Sequence, residues 1–338
     1  MKAMVLKGPG TLCAVDVPTP QPKAGEVLVR VTHTGLCGTD LKIYKGTIPV
    51  SYPLIMGHEL VGTIAASNDT DGVRIRDRVV IDPTLYCGIC FYCRVGQTNL
   101  CADGKLLGRD TNGGFAEYIA VPTCNVFPLP DFIDNRTAAM IQVLTTCVHA
   151  QRLSDLFPDE SVVVLGLGVA GQLHIQLAKA RGAGPVIGLT RSPTKAQLAM
   201  TLGADLALSE NKDAAKIVQD ATHGRGADLV IECTGLISSL SHAISLARSG
   251  GRIILFGITT AAEGVLPFYQ LYFKELTVFN SRAANGRDFA SSINLVERGV
   301  IQLAPLLSAI MPLTQLGMGL DILNSQDDQR LKLILEHV

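Results

Sequence analysis

The chain has 338 residues, a net charge of −1, and 47% hydrophobic against 17% charged residues. Such a composition fits neither a disordered chain nor a basic nucleic-acid binder. The length exceeds what a single hydrophobic core supports and predicts two domains. Nine cysteines, an odd number in a chain of this size, argue against a disulfide-stapled secreted scaffold and leave reduced thiols as candidate metal ligands.

In chain order, the N-terminus offers no continuous apolar run before Gly8 and Pro9, so no export signal is expected. Residues 1–150 read as short strands and turns, with β-branched runs at 27–31 and 78–81 and prolines at 18, 20, 22, 49 and 53. The pattern changes after residue 159. Strands at 162–165, 186–189, 229–232 and 252–256 alternate with helical stretches running to 181, over 193–202 and over 238–248. Alternation of this kind predicts parallel βαβ units with right-handed crossovers, hence an α/β fold with a doubly wound parallel sheet joined to a mainly β domain. Residues after 284 read as helix-rich. The most apolar stretch, 161–180, carries Gln172, His174, Gln176 and Lys179, which makes it a buried strand entering a helix rather than a membrane span. The expectation is a soluble cytoplasmic protein with neither membrane nor nucleic-acid partners.

Cys87, Cys90 and Cys93, with Cys101 eight positions further on, place four thiolates in one short loop, the donor set of a closed tetrahedral zinc. Redox exchange at one Cys-x-x-Cys would leave Cys93 and Cys101 without a role. Four thiolates leave no open coordination position, so this metal would be structural. Open coordination is offered by Cys37 and Asp40 after one strand and by His58 and Glu59 before another. Brought together, a thiolate, an imidazole and a carboxylate could hold zinc with a position left for water or a substrate oxygen. Apart, Cys37 reads as core, His58 as a loop histidine and Glu59 as a solvated charge, and spacing does not choose between these. Gly166, Gly168, Val169, Ala170 and Gly171 follow a predicted strand and open a helix. In that context the glycines permit a tight turn, close approach to a pyrophosphate and close helix packing, and the helix N-terminus faces the phosphates. Cys13, Cys124, Cys147 and Cys233 are expected to be small buried apolar side chains.

These segments together resemble the zinc-dependent medium-chain dehydrogenase/reductase family of alcohol, polyol and threonine dehydrogenases. The resemblance runs over essentially the whole chain. It is carried by Cys37-Gly38-Thr39-Asp40, Gly57-His58-Glu59 with Gly62, the four-cysteine loop, 113–118, the glycine fingerprint, Glu232-Cys233-Thr234-Gly235 and Gly250-Gly251-Arg252. It implies a GroES-like catalytic domain over 1–150 with a structural-zinc lobe at 84–103, a Rossmann cofactor domain over 151–284, and a return to the catalytic domain over 285–338. It also implies two zinc ions per chain and a homodimer or homotetramer.

Carried over position by position, the resemblance makes Cys37 and His58 ligands of a catalytic zinc. Thr39 becomes the hydroxyl that relays the substrate proton, and Asp40 the carboxylate that orients the zinc histidine. Glu59 matches a residue that binds the metal in the polyol branch and sits just behind it in others. Thr146 and Thr234 fall at cofactor-binding positions, and Arg282 lies in a loop that reaches toward cofactor or substrate. Three positions depart from the pattern. Gln142 stands where a further anionic zinc ligand is expected, and a neutral amide is the poorer donor. The expected shell is therefore Cys37, His58, Glu59 and water, with Gln142 as a neighbour or substrate contact. Lys42 replaces the histidine that ends the proton relay in many relatives, and Arg76 replaces a glycine in a turn. At the end of the second Rossmann strand Thr190 replaces the acid that would hold a ribose 2′-hydroxyl, with Arg191 beside it and Lys195 nearby. That favours NADP(H) over NAD(H), the alternative being an NAD site in which Arg191 stacks on adenine.

The implied activity is reversible hydride transfer between NAD(P)(H) and a small-molecule secondary alcohol, with Cys37, Glu59 and Tyr44 leaning toward polyol- or sugar-type substrates. Amino-alcohol oxidation as in threonine dehydrogenases, a zinc-free quinone reductase and a non-catalytic NADP(H)-binding sensor are the alternatives.

Overall fold

Val162–Leu165 is four apolar residues buried on both faces, as the centre of a parallel sheet requires. In the computed structural model, which describes residues 1–68, 72–209, 213–325 and 329–337, it pairs with Val186–Thr190 on one side and Ala227–Glu232 on the other. Leu206–Ser209 continues the sheet past the first neighbour, and Ala247–Leu255 and Thr277–Asn280 continue it past the second, every pairing parallel. Counted within this unit the order is 3-2-1-4-5-6, the doubly wound Rossmann arrangement, and the glycine-rich turn leaves the strand at which the order reverses. The Ile237–Leu246 helix stops earlier than the pattern predicts, and the next strand begins at Ala247. Lys274 Nζ donates to the carbonyls of Ile244, Ser245 and Ala247 at 2.7–2.9 Å, satisfying acceptors that the helix end exposes.

The β unit is organised about Glu26–Leu36, which pairs antiparallel with Glu59–Ser67, with Tyr118–Pro122 and, near its end, with Lys332–Glu336. Arg78–Ile81 and Val126–Pro128 extend the sheet at one side and Leu307–Pro312 at the other. Alternate residues Val27, Val29 and Val31 face a core shared with Leu60, Ile64, Val79 and Ile81, the period of two that a one-sided sheet shows. A second core of Leu36, Met56, Phe115, Leu333 and Leu335 packs under the smaller sheet of Lys2–Gly8, Thr11–Asp16 and Leu54–Ile55. The stretch after 284, expected to be helix-rich, holds the Gly286–Glu297 and Leu316–Asn324 helices and also two strands, Leu307–Pro312 and Lys332–Glu336. The second is an apolar run buried between two neighbours, which periodicity does not separate from a helix.

The chain divides into Met1–Thr145 with Ala283–Arg298 and Leu303–Val338, and Thr146–Arg282 with Gly299–Gln302. The break lies inside the Ile141–Leu153 helix rather than after residue 150. Arg76 adopts φ +78°, the left-handed conformation that favours glycine. Cys147 is buried as expected, whereas Cys124 is exposed and Cys13 and Cys233 are half-buried.

Asp82 ends the Arg78–Ile81 strand with its carboxylate 3% exposed. Its Oδ1 accepts from Thr84 N at 2.9 Å, while Asn125 Nδ2 donates to the carbonyls of Asp82 and Thr84. Burial, opposed by the Thr84 bonds and helped by Asp288, pushes the carboxyl from its ordinary range up to about 7. A raised carboxyl binds its proton more tightly folded than unfolded, so its stabilising contribution is whole below about pH 4 and is lost as pH rises through about 7. Asp82→Asn keeps the acceptor for Thr84 N without the charge. Urea unfolding should therefore show it more stable than the wild type at pH 8, with the difference vanishing near pH 4.

Candidate active site and metal centres

Cys37 is the N-cap of the Gly38–Tyr44 helix, in extended backbone at φ −112° and ψ 152°. Asp40, three residues on, accepts from Cys37 N through Oδ2 at 2.9 Å. This is the reciprocal arrangement of a capping box, with an anion suited to the helix N-terminus. The other oxygen, Oδ1, lies 3.4 Å from His58 Nδ1, which leaves His58 Nε2 for a metal bond. One fully buried carboxylate thus caps the helix start and faces the imidazole. Burial alone would lower the His58 pKa, but the charges of Asp40 and Cys37 outweigh it and push it well above the ordinary value.

The ligand atoms of Cys37, His58 and Glu59 all lie within 4.8 Å of one another, and His58 and Glu59 are 5% and 1% exposed. Register explains the meeting. Glu59 stands opposite Gly35 on one edge of the Glu26–Leu36 strand, and Leu333 stands opposite Leu36 on the other. A Cβ at Gly35 would fall 1.9 Å from Glu59 Oε2 and 3.0 Å from Lys332 Cε, so only glycine leaves room for the carboxylate and the lysine to meet. They form a buried ion pair through Oε2, and Lys332 Nζ also donates to Leu36 O at 3.3 Å. One Glu59 carboxylate oxygen also lies within the ligand cluster. The donor set of one thiolate, one imidazole and one carboxylate suits zinc.

Lys332 was not among the residues that motif reading singles out. Its signal was a single lysine inside the apolar run 331–335, 3% exposed in the structure, where an unpaired ammonium would be costly.

The four remaining ligand candidates form a second cluster. Cys90 Sγ lies 3.5 Å from Cys93 Sγ and 3.9 Å from Cys101 Sγ, and Cys101 Sγ is 3.6 Å from Cys87 Sγ. Four sulfurs bonded tetrahedrally to zinc lie about 3.8 Å apart, so this spacing fits a closed zinc site. Backbone N–H groups of Cys93 and Ala102 lower the Cys90 thiol to about 6, while burial and the bond to Cys90 push the neighbouring Cys93 thiol up to about 12. Asn285, N-cap of the Gly286–Glu297 helix, accepts from Thr98 Oγ1 at 3.2 Å and Asn99 N at 3.4 Å, tying the lobe to the returning chain.

In the Rossmann unit Gly166 sits at φ +90°, and a Cβ at Gly171 would fall 2.0 Å from Gly166 O. Glycine is required at both points of this strand-to-helix turn. Gly168 is the N-cap of the Val169–Ala180 helix, so Val169 and Ala170 open its first turn. Thr234 packs against Gly166 and is fixed by Glu232, whose Oε1 accepts from Thr234 N at 2.7 Å and from its hydroxyl. Gln172 Nε2 donates to Leu167 O and Lys195 O, drawing the 195 segment to the fingerprint. Thr190 is buried and its Oγ1 accepts from Ser192 N at 3.2 Å, while Arg191 beside it is exposed. Thr39 and Gln142 are half-buried in the first turns of their helices. Thr146 is half-buried and Arg282 exposed. The Tyr44 hydroxyl donates to Gly10 O at 3.1 Å, a contact outside the metal cluster.

A Rossmann sheet with its glycine turn, in one chain with a β unit carrying a four-thiolate cluster and a separate Cys-His-Glu cluster, defines a zinc-type nicotinamide-dependent dehydrogenase. Comparison with known proteins gives the family. The model described as alcohol dehydrogenase GroES-like domain matches residues 23–131, and that described as zinc-binding dehydrogenase matches 169–298. A sorbitol dehydrogenase of Halalkalibacterium halodurans is 32% identical over 91% of this chain and 92% of its own. An L-threonine 3-dehydrogenase of Pyrococcus abyssi is 34% identical over 88% of this chain and 86% of its own. The crystal structure of a zinc-binding dehydrogenase of Sinorhizobium meliloti 1021 bound to NADP superposes with a TM-score of 0.91 at 31% identity, over 99% of this chain and 98% of the other. The chain belongs to the zinc-dependent medium-chain dehydrogenase/reductase family, and its reaction is hydride transfer between a nicotinamide cofactor and an alcohol.

Replacing Lys332 leaves the buried Glu59 charge without its partner. Lys332→Met is expected to cost about 3–5 kcal/mol in urea unfolding of the purified protein. A loss below about 1 kcal/mol, the worth of an exposed pair, would show that Lys332 does not hold that charge.

Proposed function

We propose that this dehydrogenase oxidises polyols or sugar-type secondary alcohols to ketones, and runs the reverse reduction, with NADP(H) preferred over NAD(H). The observation that carries the reading is the convergence of Cys37, His58 and Glu59 within 4.8 Å, with Asp40 behind the imidazole. Cys37, His58 and Glu59 would hold a zinc ion, which would supply a Lewis acid for the substrate oxygen, and a bound nicotinamide would supply the hydride acceptor.

The chain's own residues supply the rest. Asp40 orients His58, Lys332 holds Glu59, and Thr39 Oγ takes up the hydroxyl proton of the alcohol and passes it outward as hydride leaves the carbinol carbon. Gln142 contacts the substrate or neighbours the metal ligands. In the cofactor unit the fingerprint backbone from Gly166 to Gly171 faces the pyrophosphate. Thr190, Arg191 and Lys195 offer hydroxyl and cationic groups, and none of the three is a carboxylate, where a ribose 2′-phosphate would be bound.

The assembly proposed is a homo-oligomer. Thr277–Asn280 closes one side of the Rossmann sheet with a single neighbour among the described strands, and Tyr269, Tyr272 and Phe273 beside it are 69–84% exposed. Such an edge invites pairing with a second copy. Among the described residues no helix is long and apolar enough to cross a membrane. Free thiols at all nine cysteines agree with a reducing cytoplasm.

Steady-state oxidation of sorbitol, xylitol, isopropanol and L-threonine, each with NADP and NAD, tests the reading at the reduced nicotinamide absorbance. The expected outcome is turnover of the polyols with a higher kcat/KM for NADP. Turnover confined to L-threonine, or a ratio favouring NAD, would overturn the substrate class or the cofactor choice respectively.

A further inference from the structure

An open surface depression of about 330 Å³ on the β unit is lined by Pro49, Val50, Ser51, Arg109 and Asp110. One wall is the chain leaving the Gly38–Tyr44 helix. The other is the loop that follows Gly108, and this loop is laid along the residues that precede His58. Gly113 N donates to Ile55 O at 2.7 Å, Ile55 N to Asn112 Oδ1 at 3.0 Å and Gly114 N to Gly57 O at 3.0 Å. A Cβ at Gly108 would fall 2.7 Å from Gly57 N. Since Arg109 follows Gly108 and His58 follows Gly57, their Cα atoms lie within about 13 Å by chain geometry.

The polar groups of this depression are fixed in place. Arg109 Nε donates to Asp110 Oδ1 at 3.0 Å and Nη2 to Oδ2 at 2.6 Å, while Leu106 N donates to Oδ2 at 2.8 Å. The two side chains are 34% and 33% exposed. A planar fork closed on a carboxylate in this way keeps Nη1 outside the pair as a donor, and the Ser51 hydroxyl both donates and accepts. Neighbouring hydroxyls of a polyol each donate and accept, so they match such a surface. A plain alcohol has nothing to offer it, and a phosphate would meet the Asp110 charge.

We propose that the Arg109–Asp110 pair, with the Ser51 hydroxyl, binds the hydroxyls of the substrate remote from the reacting carbon, selecting neutral polyols over both simple and phosphorylated alcohols. The proposal deepens the polyol reading above and rests on it.

Kinetics of the wild type, Arg109→Gln and Asp110→Asn with sorbitol, isopropanol and sorbitol phosphorylated at its terminal carbon test it. In Arg109→Gln the KM for sorbitol should rise about tenfold, the loss of one charge-assisted hydrogen bond, with kcat changing far less. The sorbitol-to-isopropanol ratio of kcat/KM should fall with it. Asp110→Asn should admit the phosphorylated substrate that the wild type rejects. Ratios unchanged in both variants would overturn the proposal. Calorimetric titration of sorbitol into the wild type and Arg109→Gln separates it from the broader reading. If no alcohol is oxidised the broader reading fails, yet weaker binding to the variant still supports the hydroxyl site and equal binding overturns it.

Discussion

The Glu59–Lys332 ion pair sets the geometry of the catalytic unit, because two buried charges from distant parts of the chain can meet only where the strand between them has no side chain. Gly35 is that gap, with Glu59 opposite it and Lys332 one position beyond the pairing of Leu333 with Leu36. Neither charge would be tolerated alone at 1% and 3% exposure. The pair therefore locks the returning C-terminal strand to the strand that begins at Glu59, next to His58. A buried pair of this kind is weak evidence for net stability but strong evidence for a fixed arrangement.

Asp40 plays a matching part on the other side of the cluster. The residue that completes a helix cap is also the residue that faces His58 Nδ1. The start of a seven-residue helix and the orientation of an imidazole on a different element thus become one constraint. Cys37 is placed by the same cap. The three donors are consequently held by backbone pairing and capping that form with the fold, so a metal would enter a site already shaped for it.

Much of this was legible before any coordinates. The four-cysteine loop and the glycine turn are local motifs, and local spacing is enough to read them: Cys87 to Cys101 form one cluster, and Gly166 and Gly171 meet as the fingerprint requires. The alternation after residue 159 also gave the Rossmann sheet. The Cys37–His58–Glu59 group was readable only as a resemblance, since Cys37 and His58 come together through strand register, which single-sequence spacing does not encode. Lys332 escaped notice for the same reason, being 273 residues from Glu59 in the chain (332 − 59). The last strand, Lys332–Glu336, is not separable from a helix in the sequence because a short buried apolar run looks alike as either. The polar wall at Arg109 and Asp110 carried no motif at all; it is defined by a loop folded back on Gly57.

Zinc content per chain, measured on purified wild type, Glu59→Ala and Gln142→Ala, tests the central claim that Glu59 completes a second metal site distinct from the four-cysteine one. The account predicts two zinc ions in the wild type, one in Glu59→Ala and two in Gln142→Ala. Two zinc ions retained in Glu59→Ala with one lost in Gln142→Ala would contradict it.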